Sequence, residues 1–158
     1  MLELHPMRKR EFAGFRAWLV EDYANDLARN HHLPIDQARS DAARAIDGML
    51  TKGLATPTHE LSNIILRADA AEQRIGYLWI QVEDTKKTCF IAEIYLHPEF
   101  RGRGLGRKVL EDLEVRLRQR GIERIGLHVF ADNRAASALY TKMGYQITGL
   151  HMVKMLTR

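Results

Sequence analysis

Cysteine, proline and long apolar runs are scarce in this sequence, and each scarcity excludes a class of protein. The single cysteine, Cys89, leaves no internal disulfide to form, which fits a reducing compartment. Four prolines and eleven glycines exclude a collagen-like or low-complexity chain. No apolar stretch approaches the roughly 20 residues that a membrane-spanning helix needs. The first ten residues carry charges where a signal peptide has its apolar core, so we expect a cytoplasmic protein that is not exported.

Enough apolar material is present for one folded core. Apolar residues make up 46% and charged residues 28% of the 158 residues, which argues against disorder, and we expect residues 1–158 to form one domain. Charge is unevenly distributed, because residues 1–100 hold 12 Lys/Arg against 15 Asp/Glu, whereas residues 101–158 hold 12 against 5. The basic C-terminal third predicts an anionic partner, for which a nucleic acid, a membrane surface and a phosphorylated cofactor all qualify.

Hydrophobic periodicity predicts alternating helices and strands along nearly the whole chain. Apolar residues at three- and four-residue spacing predict helices, and short runs rich in β-branched and aromatic residues predict strands. The predicted helices cover residues 8–30, 35–50, 105–120 and 133–143. The predicted strands cover residues 2–5, 61–68, 75–83, 88–97, 125–130 and 145–155, with a break at Gly149 in the last. This order, β-α-α-β-β-β-α-β-α-β-β, predicts an α/β (α+β) fold with a mixed sheet and helices on its faces.

A loop rich in glycine and arginine precedes the helix predicted over residues 105–120. Residues 98–107 read Pro-Glu-Phe-Arg-Gly-Arg-Gly-Leu-Gly-Arg. The unpaired N–H groups and the positive dipole end at a helix start attract anions, and glycines let a phosphate approach them. A dinucleotide fingerprint and a P-loop would both need a glycine where Arg107 stands, so neither motif is present. The loop therefore predicts a pyrophosphate site, and its alternative is a flexible turn with incidental arginines.

A second informative stretch covers residues 133–145, Asn-Arg-Ala-Ala-Ser-Ala-Leu-Tyr-Thr-Lys-Met-Gly-Tyr. Asn133 is a natural N-cap, and on its own the stretch is typical of an ordinary amphipathic helix. Both stretches together resemble the two signatures of the GNAT N-acetyltransferase superfamily, and the element order matches it over nearly the whole chain. The matching patterns are Arg101-x-x-Gly104-x-Gly106 and Asn133-x-x-Ala136-x-x-Leu139-Tyr140-x-Lys142-x-Gly144-Tyr145.

The resemblance implies a fold and a binding mode for acetyl-coenzyme A as co-substrate. In this superfamily the sheet is mostly antiparallel, and its fourth and fifth strands run parallel but splay apart. The pantetheine arm enters that gap, where main-chain groups of Tyr95, Leu96 and His97 would face it. Asn133 would contact the pantetheine region, and Tyr140 would lie near the thioester sulfur. The pyrophosphate would be wrapped, mainly by backbone N–H groups, by Arg101, Gly102, Arg103, Gly104, Leu105, Gly106 and Arg107.

The implied reaction, acyl transfer to an amine, needs a proton acceptor and benefits from a proton donor. Tyrosine, with an ordinary pKa near 10, is protonated at neutral pH, so Tyr140 suits protonation of the departing thiolate. Strand alternation places Glu93 on one face with Ile91 and Tyr95. Some superfamily members carry a glutamate base on this strand, so Glu93 is the first candidate for the base, and its alternative is an ion pair with an arginine. His128 is the second candidate, with a packed core histidine as its alternative.

The resemblance favours an acetyl-coenzyme A-dependent N-acetyltransferase that acts on a primary amine in a ternary complex. Its rivals are a GNAT-fold acyl-coenzyme A sensor, an acyltransferase using another acyl group, and a nucleic-acid-binding module. We expect no nucleic-acid or membrane partner, no metal, and a buried, inert Cys89; a homodimer stays open because dimers are frequent in this superfamily. The acceptor could be a protein N-terminus, a lysine, a polyamine, an amino acid or an aminoglycoside, with Tyr23, Asp26 and His31 as candidates for lining its site.

Overall fold

The computed structural model describes residues 1–157, and these form a five-stranded sheet and four helices. The strands are β1 (Leu2–Pro6), β2 (His59–Ala68), β3 (Ala71–Glu83), β4 (Thr88–Leu96) and β5 (Arg124–Leu127). The helices are α1 (Lys9–His31), α2 (Ile35–Met49), α3 (Leu105–Gln119) and α4 (Arg134–Lys142), and short 3₁₀ turns cover Gly53–Ala55 and Pro98–Phe100.

The sheet has the strand order β1-β2-β3-β4-β5. Neighbouring strands from β1 to β4 are antiparallel, whereas β4 and β5 are parallel. The connection from β4 to β5 contains α3, as a parallel pair requires a crossover. The predicted α/β fold class and mixed, mostly antiparallel sheet are therefore confirmed.

The chain packs as two compact units. The first unit comprises residues 1–12 and 52–128, and it contains the sheet and α3. The second unit comprises residues 13–51 and those from 129 onward, and it contains α2, α4 and most of α1. The expectation of one acetyltransferase domain over residues 1–158 stays a prediction.

Each unit has its own buried apolar core. In the first unit the most deeply buried large side chains come from the sheet and from one face of α3, namely Ile64, Ile75, Leu78, Leu110 and Leu117. In the second unit small side chains let α1 and α2 approach closely around Ala24, Leu27, Ala38 and Ala42, with Phe130 packed against them. The helices and strands thus bury the apolar side chains whose periodicity predicted these elements.

The predicted strand over residues 145–155 is wrong. Gly144 ends the preceding turn with a left-handed φ of 96°, and residues 145–157 form no helix or strand. Every residue from 146 to 157 is exposed. Alternating apolar side chains give a segment the propensity for a strand, but a strand also needs a neighbour that satisfies its N–H and C=O groups.

The helices of residues 1–157 are all too short or too polar to cross a membrane.

Candidate functional site

The parallel strands β4 and β5 pair over only part of their length. The pairs run from Thr88 opposite Arg124 to Ile91 opposite Leu127, where β5 ends. β4 continues to Leu96, so residues 92–96 have β3 on one side and no β5 partner on the other. The backbone groups on that open side of β4 are available to an extended ligand, as in strand addition to a sheet edge.

A β-bulge at Ala92 lies where this pairing stops. On β3, Trp79 pairs with Glu93 and the next residue, Ile80, pairs with Ile91, so Ala92 is the extra residue. Directly paired residues share a face of the sheet, and consecutive residues of β3 face opposite ways. Glu93 therefore lies on the opposite face from Ile91, and the prediction that they share one is wrong because a bulge inverts the alternation.

Close contact between β3 and β4 fixes the end of β4. A Cβ atom placed on Gly76 would lie 1.8 Å from the carbonyl oxygen of Tyr95, so only glycine allows this approach. One residue earlier, the carbonyl of Ile75 accepts a 2.8 Å hydrogen bond from the N–H of His97. The main chain of Tyr95, Leu96 and His97 is thus held firmly against β3.

The loop after β4 has the geometry that phosphate binding requires. Gly102 and Gly104 adopt left-handed φ values of 73° and 75°, and beyond the adjoining residues no atom lies within 4 Å of a Cβ built on either. Gly104 is the N-cap of α3 and offers no side chain to cap the helix. The N–H groups of Leu105, Gly106 and Arg107 have no carbonyl partner inside the helix, so open space adjoins unpaired donors at the positive end of a helix dipole.

Arg101 connects this loop to the end of β4. Its Nε donates a 2.8 Å hydrogen bond to the carbonyl oxygen of Leu96, and its guanidinium lies 5.1 Å from the centre of the Tyr95 ring. Because this side chain turns back onto β4, it positions the strand end and the loop relative to each other.

The other two arginines of the loop also have local contacts. The Arg103 guanidinium lies 5.6 Å from the centre of the Phe100 ring. Arg107 Nε donates a 2.9 Å hydrogen bond to Glu111 one turn along α3, in an exposed ion pair. The Arg103 charge adds to the positive potential around the helix start, whereas Glu111 offsets that of Arg107.

In the second unit, α4 carries the other two residues predicted to contact acetyl-coenzyme A. The side-chain oxygen of Asn133 accepts a 3.2 Å hydrogen bond from the N–H of Ala136, which confirms the predicted N-cap. Tyr140 is half-buried one to two turns later, and its ring meets that of Tyr145 edge to face, with 5.6 Å between centres.

Two of the three residues predicted from sequence to line an acceptor site lie beside one aromatic ring, and the third lies next to one of them. The Phe130 ring lies 6.0 Å from that of Tyr23 and 6.1 Å from that of His31, measured between centres. Asp26 lies one turn after Tyr23 on α1, and burial, with a smaller effect of the Asp26 carboxylate, raises the pKa of Tyr23. Sequence reasoning missed Phe130, which no local pattern marks as part of this cluster.

The pKa of the Asp26 carboxyl group is strongly raised. Burial is the main cause that raises its pKa to about 6, with a further contribution from Asp22 and an opposing one from Arg29. Arg29 donates to Asp26 at 2.6 Å and to Asp132 at 2.9 Å, and Asn30 also donates to Asp132. These bonds lower the pKa of Asp132, a residue that sequence reasoning also missed because it is about 100 positions distant from its partners.

The candidate bases and the single thiol have different surroundings. Glu93 is half-buried on the face of β4 that is paired with Trp79, whereas His128 is exposed directly after β5. Cys89 is 2% exposed, and burial raises its thiol pKa to about 11. The expectation of a buried cysteine is confirmed, and its lack of reactivity stays a prediction that the raised pKa supports.

One group of side chains on the sheet has the composition of a metal site. Ligand atoms of Glu3, His5 and Glu72 lie within 4.8 Å of one another. Arg67 forms ion pairs with both glutamates, and His5 Nε2 lies 2.8 Å from Glu3. The guanidinium of Arg67 already compensates the negative charge of the two carboxylates, so we propose no metal site here.

Comparison with known protein families accounts for the arrangement of β4, the glycine loop and α3. The model of the Acetyltransferase (GNAT) family matches residues 12–145. The chain belongs to the GNAT acetyltransferase family. Its class of activity is therefore that of an N-acetyltransferase.

Individual GNAT relatives resemble the chain over nearly its whole length. YdgE of Bacillus subtilis, an uncharacterized N-acetyltransferase, is 34% identical over 155 residues, which are 97% of each chain. The crystal structure of the Bacillus subtilis acetyltransferase YycN superposes with a TM-score of 0.90 at 29% identity and covers 100% of both chains. PaiA N-acetyltransferase of Thermoplasma acidophilum, solved in complex with coenzyme A, has a TM-score of 0.65 at 15% identity over 96% of this chain and 93% of its own. The last similarity shows the fold alone.

The structure places the predicted GNAT site residues in two sets. The first unit brings together the end of β4, Arg101 and the start of α3. The second unit places Asn133 and Tyr140 on one helix, and Tyr23 and His31 beside Phe130. The roles of these residues toward a donor or an acceptor stay predictions.

Proposed function

We propose that this chain transfers the acetyl group of acetyl-coenzyme A to a primary amine, by direct attack in a ternary complex. One observation carries the proposal: an uncapped helix start with two left-handed glycines and open space directly follows a strand whose outer side has lost its partner. Such a site suits a ligand that joins a diphosphate to an extended, amide-containing arm, and membership of the GNAT family supports the same donor.

The donor would be bound mainly by backbone groups. N–H groups of the loop and first helical turn would hold the pyrophosphate, with Arg101, Gly102, Arg103, Gly104, Leu105, Gly106 and Arg107 around it. The main chain of Tyr95, Leu96 and His97 would pair with the amides of the pantetheine arm, and Asn133 would contact that arm as well. Backbone donors suit this task because they are held rigidly and cost little entropy on binding.

Tyr140 and Glu93 would carry the proton transfers. The amine must be neutral to attack, so Glu93, directly or through water, would accept the proton that the amine loses as its nitrogen bonds to the acetyl carbon. As the carbon–sulfur bond breaks, the hydroxyl of Tyr140 would donate a proton to the departing thiolate. His128 is the alternative base.

A cationic acceptor fits the second unit best. Two carboxylates, those of Asp26 and Asp132, share Arg29 as a cationic partner, and Asp26 interacts with Tyr23, whose ring lies 6.0 Å from that of Phe130 between centres. Aromatic faces and carboxylates both attract ammonium groups. We therefore propose that the acceptor carries a positive charge besides its reacting amine, as a polyamine or a basic peptide does.

A thiol-release assay with a panel of amines tests the proposal. Acetyl-coenzyme A is mixed with protein and with polyamines, amino acids, peptides bearing lysine or a free N-terminus, and aminoglycosides. We expect release of coenzyme A, together with a product heavier by one acetyl group, for at least one cationic amine. Tight acetyl-coenzyme A binding without turnover of any amine would instead identify a sensor. Turnover only with another acyl thioester would show that this thioester, and not acetyl-coenzyme A, is the donor.

A further inference from the structure

A row of four side chains extends from β3 across β4 to the glycine loop, and we call it the arginine–tyrosine row. It consists of Arg74, Tyr77, Tyr95 and Arg101. The Arg74 guanidinium lies 5.2 Å from the centre of the Tyr77 ring. The rings of Tyr77 and Tyr95 are stacked, with 6.4 Å between centres and 22° between planes, and the Arg101 guanidinium lies 5.1 Å from the centre of the Tyr95 ring. Each ring of the row thus holds one guanidinium by a cation–π contact.

The two rings of the row are held in place by their neighbours. Tyr77 is 9% exposed and is paired with Tyr95 across the sheet. His97 meets both rings edge to face, with 6.0 Å between centres to Tyr77 and 5.5 Å to Tyr95. A ring that is packed against others has few rotamers open to it, so Tyr95 offers Arg101 a surface of fixed orientation.

Arg101 combines this stacking with a hydrogen bond to the strand. Its Nε donates to the carbonyl oxygen of Leu96 at 2.8 Å. A guanidinium is planar, so it stacks through its face while it donates N–H groups in its plane, which an ammonium group cannot do. The bond joins the loop that is proposed to hold the phosphates to the strand end that is proposed to hold the pantetheine arm.

We propose that Arg74 is a positioning residue for acetyl-coenzyme A, acting through the rings of Tyr77 and Tyr95 on Arg101. Arg101 in turn positions the loop through the N–H of its Nε and through its planar shape, and not through its charge. The proposal rests on the donor site of the proposed function. A site that is held in its binding geometry loses less entropy when the ligand binds, so the row contributes to donor affinity and not to the chemical step.

Two substitutions at Arg101 separate its N–H from its charge. Lysine keeps the positive charge, which suits a phosphate ligand, but has no planar N–H group. Glutamine is neutral, and its Nε2 carries N–H groups at the same number of bonds from the backbone as the Nε of arginine. In calorimetry we expect acetyl-coenzyme A binding to weaken about tenfold in Arg101→Lys and less than about threefold in Arg101→Gln. Arg118→Lys, at an exposed arginine on α3, is the control and should bind like the wild type.

A double-variant cycle tests the contribution of Arg74. Arg74→Met removes the cation from an exposed side chain while it keeps an apolar stem of similar length. We expect it to raise the KM for acetyl-coenzyme A about two- to threefold, the worth of one exposed cation–π contact, with kcat unchanged. Added to Arg101→Lys it should raise KM no further, because residues that act through one another are not additive.

The outcomes distinguish this proposal from the proposed function. Arg101→Lys that binds acetyl-coenzyme A as tightly as the wild type, or Arg101→Gln that binds it no more tightly than Arg101→Lys, overturns the role given to Arg101. Independent, additive effects of Arg74→Met and Arg101→Lys, or no effect of Arg74→Met, overturn the role given to Arg74. In each of these cases the wild type still binds acetyl-coenzyme A, so the proposed function stands. A wild type without affinity for acetyl-coenzyme A overturns both.

Discussion

Tyr140 is the single residue on which the proposed chemistry depends most. Tyr140→Phe should lower kcat by roughly 100-fold or more, because a positioned general acid is worth about that much. Its KM for acetyl-coenzyme A should change little, since the ring remains. The measurement is steady-state thiol release with the best amine from the panel.

Tyr145→Phe is the matched control, because it removes a hydroxyl from the ring that packs on Tyr140. It should keep most of the wild-type kcat. Equal rates for wild type and Tyr140→Phe would remove Tyr140 from the acid role.

Titration of Asp26 should make the free energy of unfolding depend on pH. Its pKa is raised from 3.8 to about 6, so the folded state holds this proton more tightly than the unfolded state does. The stability it contributes is fully present below about pH 4 and is lost as the pH rises through about 6. Relative to wild type, Asp26→Asn should therefore become more stable between pH 4.5 and 7, by about 1–2 kcal/mol, in chemical unfolding at each pH.

Asp47→Asn serves as the control for this pH dependence. Its hydrogen bond from Arg16 lowers the pKa of Asp47, so that carboxylate is already ionised over the whole window from pH 4.5 to 7. The difference between Asp47→Asn and wild type should stay constant there. A constant difference for Asp26→Asn as well would show that burial of Asp26 does not perturb its titration.

At the scale of elements, the contact of β3 with β4 depends on Gly76. Gly76→Ala would drive a methyl group into the carbonyl of Tyr95, so the strands must separate. We expect a loss of about 1–3 kcal/mol in the free energy of unfolding, typical of overpacking, and a raised KM for acetyl-coenzyme A. Gly48→Ala in α2, where nothing lies within 4 Å, should instead stabilise by up to about 1 kcal/mol. Equal stabilities of the two variants in urea unfolding would contradict the close approach.

The two ends of α3 offer a matched pair for the glycine loop. Gly104 and Gly121 have φ values of 75° and 79° and equally open surroundings, so alanine should cost each about 1 kcal/mol of stability. Only Gly104→Ala also places a methyl group at the proposed phosphate site. Calorimetry should show acetyl-coenzyme A binding weakened about tenfold or more in Gly104→Ala and unchanged in Gly121→Ala. Equal affinities would locate the phosphates elsewhere.

At the scale of the whole molecule, the sequence predicted what local patterns determine. Apolar periodicity located the four helices and five strands of residues 1–157 along the chain, together with a sixth strand that does not form, and Asn133 was identified as an N-cap from its residue type and position. The glycine loop was also predictable, because left-handed φ values at a helix start favour glycine at Gly102 and Gly104.

Features that depend on contacts between distant residues could not be predicted from local sequence patterns. The bulge at Ala92 arises from pairing with β3, and no residue type signals it, so the predicted face of Glu93 was wrong. The link of Arg29 to Asp132 joins residues 103 positions apart. Residues 145–155 were predicted to form a strand from propensity alone, although a strand forms only where a partner edge is available.

Hydrogen exchange with and without acetyl-coenzyme A tests the central claim most directly, because it reports the backbone N–H groups that are proposed to bind the phosphates. The account predicts that acetyl-coenzyme A protects amides of residues 102–107, and those on the open side of residues 92–97, while the far end of α3 near Gly121 is unaffected. Saturating acetyl-coenzyme A that leaves residues 102–107 unprotected, or protects another part of the chain instead, would contradict it.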